Sequence, residues 1–302
     1  MLSTAVAESD IVFQGRSVSI DLSGYDSQKG SGTYSGEVAV TSTLKGQLAT
    51  SPLRLKWEPS ATGLKAGSKH IFFLRRDGEH FKVLKEIFVH ELPHSCCRTY
   101  WAYDGGTDST LHAIRLLIDP MLPDQLFAQS LESDVRTDRV HQQATAVMLA
   151  CETLRPASLP AMLYAVENHT EDFVHAVYAA CQLDGQKGAQ SALEHLSASV
   201  HHPACLAFDA IAATKAPKSV KVLEAFGDTH PEHRVSCAFA IREIDPKTLA
   251  VTIARWKSDG KNTGLTHGFE LQNRWIRQTA TVDQLLDLAL AGGTVFKDAQ
   301  LK

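Results

Sequence analysis

From Ala7 to about Leu92 apolar and polar residues alternate with a period of two, broken by turn residues. That is the pattern of strands buried on one face. Ile11 to Ile20 is rich in β-branched residues and follows the turn pair Ser9-Asp10, whereas Glu37 to Leu44 alternates and stops at Lys45-Gly46. Leu53 to Trp57 alternates apolar with basic residues. His70 to Leu74 and Phe81 to Ile87 flank Arg76-Asp77-Gly78, and Asp-Gly favours a tight hairpin turn. The Gly- and Ser-rich stretch 24–36 reads as a connection or a long hairpin tip. Five strands without helical spacing between them predict a small closed or half-closed antiparallel barrel.

After Asp104-Gly105-Gly106 the composition shifts towards Ala, Leu, Gln and His, and apolar residues recur at steps of three and four. The expected organisation is therefore mixed and two-domain: a β-barrel at 1–104 and an all-α domain at 105–302. At a step of 30 residues Ala150, Ala180, Ala210 and Ala240 share one column, and Leu163, Leu193, Leu223 and Ile253 a second. Val166, Leu196, Phe226 and Trp256 form a third, three residues on and hence on the same helix face as the second. The repeating unit reads as a helix over 172–183, a turn at 184–187 and a helix over 189–199. The small column lets paired helices approach, and the large columns fill the space between units, predicting a two-helix repeat solenoid. Asn168 with Glu171 and Thr229 with Glu232 have capping-box spacing, with Ser199 and Asp259 at about the same phase. Pro156, Pro217 and Pro246 suit the first turns of second helices. Residues 265–277 with 282–290 would close the array, and 110–132 would open it.

The repeat length, the two-helix unit and the small column resemble the short bacterial HEAT-type repeats, over roughly residues 140–260. That resemblance implies a protein partner. The first half, through Ala7 to Gly15, Val40 to Gly46, and Gly63 to Gly67 leading into Ile71 to Leu74, resembles the netrin-like, or tissue-inhibitor-of-metalloproteinase-like, OB-fold modules. This second resemblance implies an OB-like barrel and an extracytoplasmic setting, secreted or periplasmic. In those inhibitors an N-terminal Cys presents its amino group to the protease metal, whereas no Cys precedes Cys96 here; that mechanism does not carry over.

Composition removes several classes. Thirty Lys and Arg against 34 Asp and Glu, with 14 His, give a net charge of −4, against a protein held to nucleic acid by general electrostatics. Residues 1–100 carry 12 basic and 10 acidic side chains, so the acidity lies in the helical half. Arg54, Lys56, Trp57, Arg75 and Arg76 form a small basic set that a solvated barrel face explains equally well. No apolar run is long enough to span a membrane.

Residues with ligand chemistry remain. His90-Glu91-Leu92-Pro93-His94 has the letters of a zinc-protease motif, but Pro93 would sit inside the helical turn that motif needs, at about 3 kcal/mol. A strand end and loop is the competing reading, and His90, His94 and Cys96 or Cys97 could form a less regular metal set. The adjacent pair Cys96-Cys97 is free or bridged elsewhere, whereas Cys151, Cys181, Cys205 and Cys237 lie among Ala and Leu as small buried hydrophobes. His169, His201, His202, His230 and His233 fall in turns between units, beside Glu171, Asp172, Asp228 and Glu232. Stacked turns would align them along an edge able to bind Zn, Cu or Ni, or to protonate as pH falls towards 6; polar turn positions explain them as well. No cofactor and no catalytic residue is expected. The expected function is a non-catalytic protein-binding scaffold, using the first helices (ending near Leu183, Ala213 and Glu243) or the His edge. The alternatives are an inhibitor-like module and a metal-dependent hydrolase at His90, Glu91 and His94.

Overall fold

The computed structural model describes residues 2–26, 31–48, 51–58, 66–78, 80–89, 107–119, 122–170, 172–196, 204–262, 270–271, 274–275 and 281–292. The chain forms two compact units, one of residues 1–130 with 137–153 and the other of 131–136 with 154–302. Strands give way to helices where the composition shifts, while the compact units divide later.

The first unit begins with a helix absent from the alternation-based reading, α1 (Leu2–Glu8). All five expected strands follow: β1 (Ile11–Asp26), β2 (Ser31–Lys45), β3 (Leu53–Trp57), β4 (Lys69–Asp77) and β5 (His80–Val89). They form an open antiparallel sheet of order β3-β2-β1-β4-β5. Its edge strands β3 and β5 lie near each other with no ladder between them among the described residues. The Gly- and Ser-rich stretch belongs mostly to the β1–β2 ladder, which continues to Asp26 opposite Ser31. Gly lacks the side chain that marks a strand by alternation, which is why the stretch reads as a turn.

Alternation places Ile11, Phe13, Leu53, Leu55, Trp57, Phe72 and Leu74 in one apolar cluster, and β3 shows the pattern in full, buried and exposed by turns. Val12, Ile71 and Phe73 are buried on the other face. There α1, whose Leu2, Ala5 and Val6 are buried, packs on β4. Two charged side chains fix α1. Glu152 accepts the backbone N–H of Leu2 at 2.9 Å and of Ser3 at 2.7 Å, filling unpaired donors at a helix start. Lys45 donates to the carbonyls of Val6 at 2.7 Å and Ser9 at 2.6 Å. Helices α2 (Thr107–Ile118), α3 (Asp124–Val135) and α4 (Val140–Thr153) follow, and α2 packs on α1, α4 and β2.

The second unit runs through α5 (Leu159–Glu167), α6 (Phe173–Leu183), α7 (Gly185–Glu194), α8 (Ala204–Thr214), α9 (Lys218–Thr229), α10 (Arg234–Ile244), α11 (Pro246–Ser258) and α12 (Val282–Leu290). Within it α6 packs on α8 and α8 on α10, while α7 packs on α9. Ala180, Ala210 and Ala240 of the small column are buried on α6, α8 and α10; Leu193, Leu223 and Ile253 are buried on α7, α9 and α11. Gly188 shows how closely a pair approaches: a Cβ there would meet the backbone of Ala180 and Cys181 at 2.5 Å.

Three local expectations are corrected. The segment 184–187 is the start of α7, with Asp184 accepting from the N–H groups of Gln186 and Lys187; Asp245 does the same for α11. The spacing at Thr229 makes no capping box, and Glu171, the partner expected for Asn168, lies outside the described residues. Both side chains donate backwards, Asn168 to the Tyr164 carbonyl and Thr229 to those of Ala225 and Phe226, and so finish helices. The one complete capping box among the described residues is Thr281 with Gln284 at α12. Lastly, part of 265–277 is strand rather than helix, since Glu270–Leu271 pairs with Arg274–Trp275. No described helix is long and apolar enough to cross a membrane.

Candidate functional site

The helices α7 and α9 start side by side. Ser219 Oγ at the head of α9 donates to the Gly185 carbonyl at the head of α7, at 2.8 Å. Running the same way, they leave an open groove of about 1160 Å³ between them. Leu193, Leu196, Val222, Ala225 and Phe226 supply its apolar surface. The spacing of three and four from Val222 to Phe226 puts those side chains on one stripe of α9.

The ends differ in charge. Lys218 and Lys221 line the groove at the head of α9, while Glu194 and Glu232 line it where the helices finish. Cations at a helix N-terminus oppose the macrodipole, each at about 0.3–1 kcal/mol, and neither lysine pairs with a carboxylate among the described residues.

His230 and His233 border the same groove. His230 ends α9, its ring stacked on Phe226 at 4.1 Å between centroids. Its Nδ1 lies 3.2 Å from the Phe226 carbonyl and 2.9 Å from Thr229 Oγ1. A carbonyl only accepts, so Nδ1 is the donor in that contact. His233 lies between Phe226, at 5.6 Å, and Phe208, at 5.9 Å, with its centroid 6.4 Å from that of His230. Burial among these rings lowers the His233 pKa; Glu232 opposes the shift and His230 adds to it.

A folded-state pKa below that of the unfolded chain means the unfolded state takes up the proton first. Stability is therefore expected to be full above the ordinary value of 6.5 and to fall as pH drops from there through the folded-state value. Urea unfolding at pH 7.5 and 5.5 measures it, and His233→Phe should lessen the difference. An unchanged pH dependence in that variant would contradict the assignment.

The structure thus joins His230 to His233. His169 ends α5 with a φ of 46° and stacks on Phe173 at 4.8 Å, both ring nitrogens buried. Asp228 is engaged elsewhere, accepting from Trp256 Nε1 at 2.7 Å and lying 3.2 Å from Arg255, and Asp172 faces His175 at 3.6 Å. His90, Glu91, His94, Cys96, Cys97, Glu171, His201 and His202 lie outside the described residues. Among the described residues no group of three or more His, Cys, Asp or Glu is placed to hold a metal ion. Cys181 and Cys237 are buried, and burial pushes the Cys181 thiol up to about 12 and that of Cys237 higher still. Neither thiol is therefore nucleophilic at neutral pH.

One Ser–His pair escapes any reading of spacing. Ser17 Oγ lies 2.8 Å from His70 Nε2, both residues buried. Ser17 also donates to the Ser68 carbonyl at 3.0 Å. With its proton so committed, the hydroxyl accepts from Nε2, and His70 is a donor here rather than a base. In the basic set near β3, Trp57 is only 2% exposed and faces the core, opposite Arg54 and Lys56. Arg54 is paired with Glu37 at 2.9 Å. Among the described residues Trp57 therefore offers no ring to the face that carries Arg54 and Lys56.

Spacing alone did not reveal the groove, because its walls come from helices about thirty residues apart in the chain. Polar, exposed Lys218 and Lys221 at a helix head were the available signal. No protein-family profile, curated protein or solved structure matches the chain.

Proposed function

We propose that the protein is a non-catalytic binding scaffold, in which an OB-like barrel precedes a HEAT-like helical-repeat array that holds a protein partner. The observation that carries this reading is the open, apolar groove with a charged rim along α7 and α9. His233 on its border is packed between the rings of Phe226 and Phe208.

The finer architecture belongs to the same proposal. Strand order β3-β2-β1-β4-β5, with β5 returning near β3, supports a partly open barrel of OB type. Burial of the Ala and Leu columns supports a solenoid in which each unit rests on its neighbours. An extracytoplasmic setting rests on the netrin-like resemblance alone. The inhibitor alternative is disfavoured by α1: the segment ahead of β1 is folded onto β4, with Leu2 buried and its N–H given to Glu152.

The test uses the whole chain as bait in its native extract. A protein retained in stoichiometric amount by the wild type and lost from Ala225→Asp, whose side chain lies exposed in the groove, is the expected result. No retained protein, or equal retention by the variant at unchanged thermal stability, overturns it.

A further inference from the structure

Resting on that reading, we propose that the α7–α9 groove takes an amphipathic helical segment of about three turns whose end is acidic, seated with the acidic end against Lys218 and Lys221. Three observations select this occupant. The first is shape. The groove runs beside helices of 10 and 12 residues, about 15–18 Å of rise, and is open rather than enclosed, as helix-in-groove recognition requires. A small molecule is instead mostly enclosed by its site.

The second is chemistry. The surface combines apolar contact from Leu193, Val222 and Phe226 with polar groups from Gln186 and Gln190 on the α7 wall. An apolar stripe on a helix, spaced three and four apart and bordered by polar residues, complements both.

The third is charge. Lys218 and Lys221 stand at the head of α9, against its macrodipole and without a carboxylate partner among the described residues. At the neighbouring head of α7 the Asp184 carboxylate caps the helix beside Lys187, so the positive end is that of α9. Lys218 and Lys221, at a helix head that no side chain caps, leave a positive field at that end of the groove. Acidic side chains on a docked helix would neutralise that field. Glu194 and Glu232 at the other end disfavour a second acidic terminus and so fix which end of the partner lies where.

The experiment uses the full chain and three probes, read by fluorescence anisotropy and by competition. The first is a synthetic 14-residue helical peptide with leucines at steps of three and four and three glutamates at one end. The second is the same peptide with lysines in place of those glutamates, and the third is dodecanoate. The expected result is at least tenfold tighter binding of the glutamate peptide than of the lysine peptide, weakening as salt rises. The order should reverse in Lys218→Glu/Lys221→Glu at an unchanged melting temperature. Equal binding of the two peptides, an order unchanged by the double variant, or dodecanoate displacing the peptide from the groove overturns the proposal. If no peptide binds while the whole chain still retains a protein that Ala225→Asp loses, this inference fails and the scaffold reading stands; if no protein is retained, the scaffold reading fails.

Discussion

Replacing Arg234 by alanine is expected to cost about 3–5 kcal/mol, the loss that follows when a buried, paired charge is removed. Arg234 is the first residue of α10 and is wholly buried. Its guanidinium donates to the Gly227 carbonyl at 2.9 Å, the Trp256 carbonyl at 3.1 Å and Asn262 Oδ1 at 2.7 Å. It also forks onto both carboxylate oxygens of Asp259. One side chain thereby ties the end of α9, the head of α10 and the end of α11. Asn262 extends the tie by donating to Asp283 in α12 at 2.9 Å.

Removing the guanidinium strands the Gly227 carbonyl and takes the fork from the Asp259 carboxylate at once, while the Trp256 carbonyl keeps only its bond from Asn262, hence the size of the effect. Lysine keeps the charge but not the planar fork, so Arg234→Lys should lose most of the same energy. The pH signature separates this network from simple packing. The Arg234 guanidinium holds the Asp259 carboxyl at about 2, below its ordinary 3.8. A depressed carboxylate contributes stability that is full above 3.8 and is lost as pH falls from there through about 2. Urea unfolding of wild type and Arg234→Ala at pH 7 and pH 3 should show a gap that narrows in acid. A gap of equal size at both pH values would contradict the role given to Asp259.

The second large effect is expected at Trp256, which closes the third column of the repeat. Its side chain is completely buried, its Nε1 donates to Asp228 at 2.7 Å, and the Arg234 guanidinium lies 5.7 Å from its ring. Trp256→Ala is expected to cost about 3–5 kcal/mol, since truncation removes the transfer term and leaves a cavity that the surrounding helices fill only in part.

The partner position shows how tightly the ring is seated. A Cβ on Gly227 would come within 2.4 Å of it, so Gly227→Ala alone should cost about 1–3 kcal/mol by overpacking. In the Trp256→Ala background the same methyl group would enter the vacated space, and its penalty should shrink or vanish. Denaturation of the two single variants and the double variant checks this coupling. Strict additivity would mean that the ring and Gly227 do not press on one another.

How much of this was legible beforehand depended on the range of each interaction. The strands were readable because Leu53 to Trp57 and Ile11 to Phe13 alternate within one element. Asp77-Gly78 marked its hairpin because Gly78 takes a φ of +62°. The Ala and Leu columns were readable because residues thirty apart take buried places on successive helices.

Helix ends were read less well. Thr229 and Asn168 carry N-cap chemistry, yet the same hydroxyl and amide serve equally well as donors to the preceding turn, and only the backbone decides between them. The seven-residue α1 is too short to declare a period, and it is held by Glu152 and Lys45, far away in sequence. No spacing singles out Arg234, because its acceptors come from α9, α11 and the turn after α11. The groove was invisible for the same reason, although the unbalanced lysines at the head of α9 were its local trace.

The most direct measurement of the proposal that a protein partner docks on the α7–α9 face is amide hydrogen exchange on the full chain, with and without any protein that the bait experiment yields. The account predicts added protection concentrated in Gly185–Glu194 and Lys218–Thr229, with Ala225→Asp abolishing it. Protection confined to the β-sheet unit, or none along α7 and α9 in a saturated complex, would contradict it.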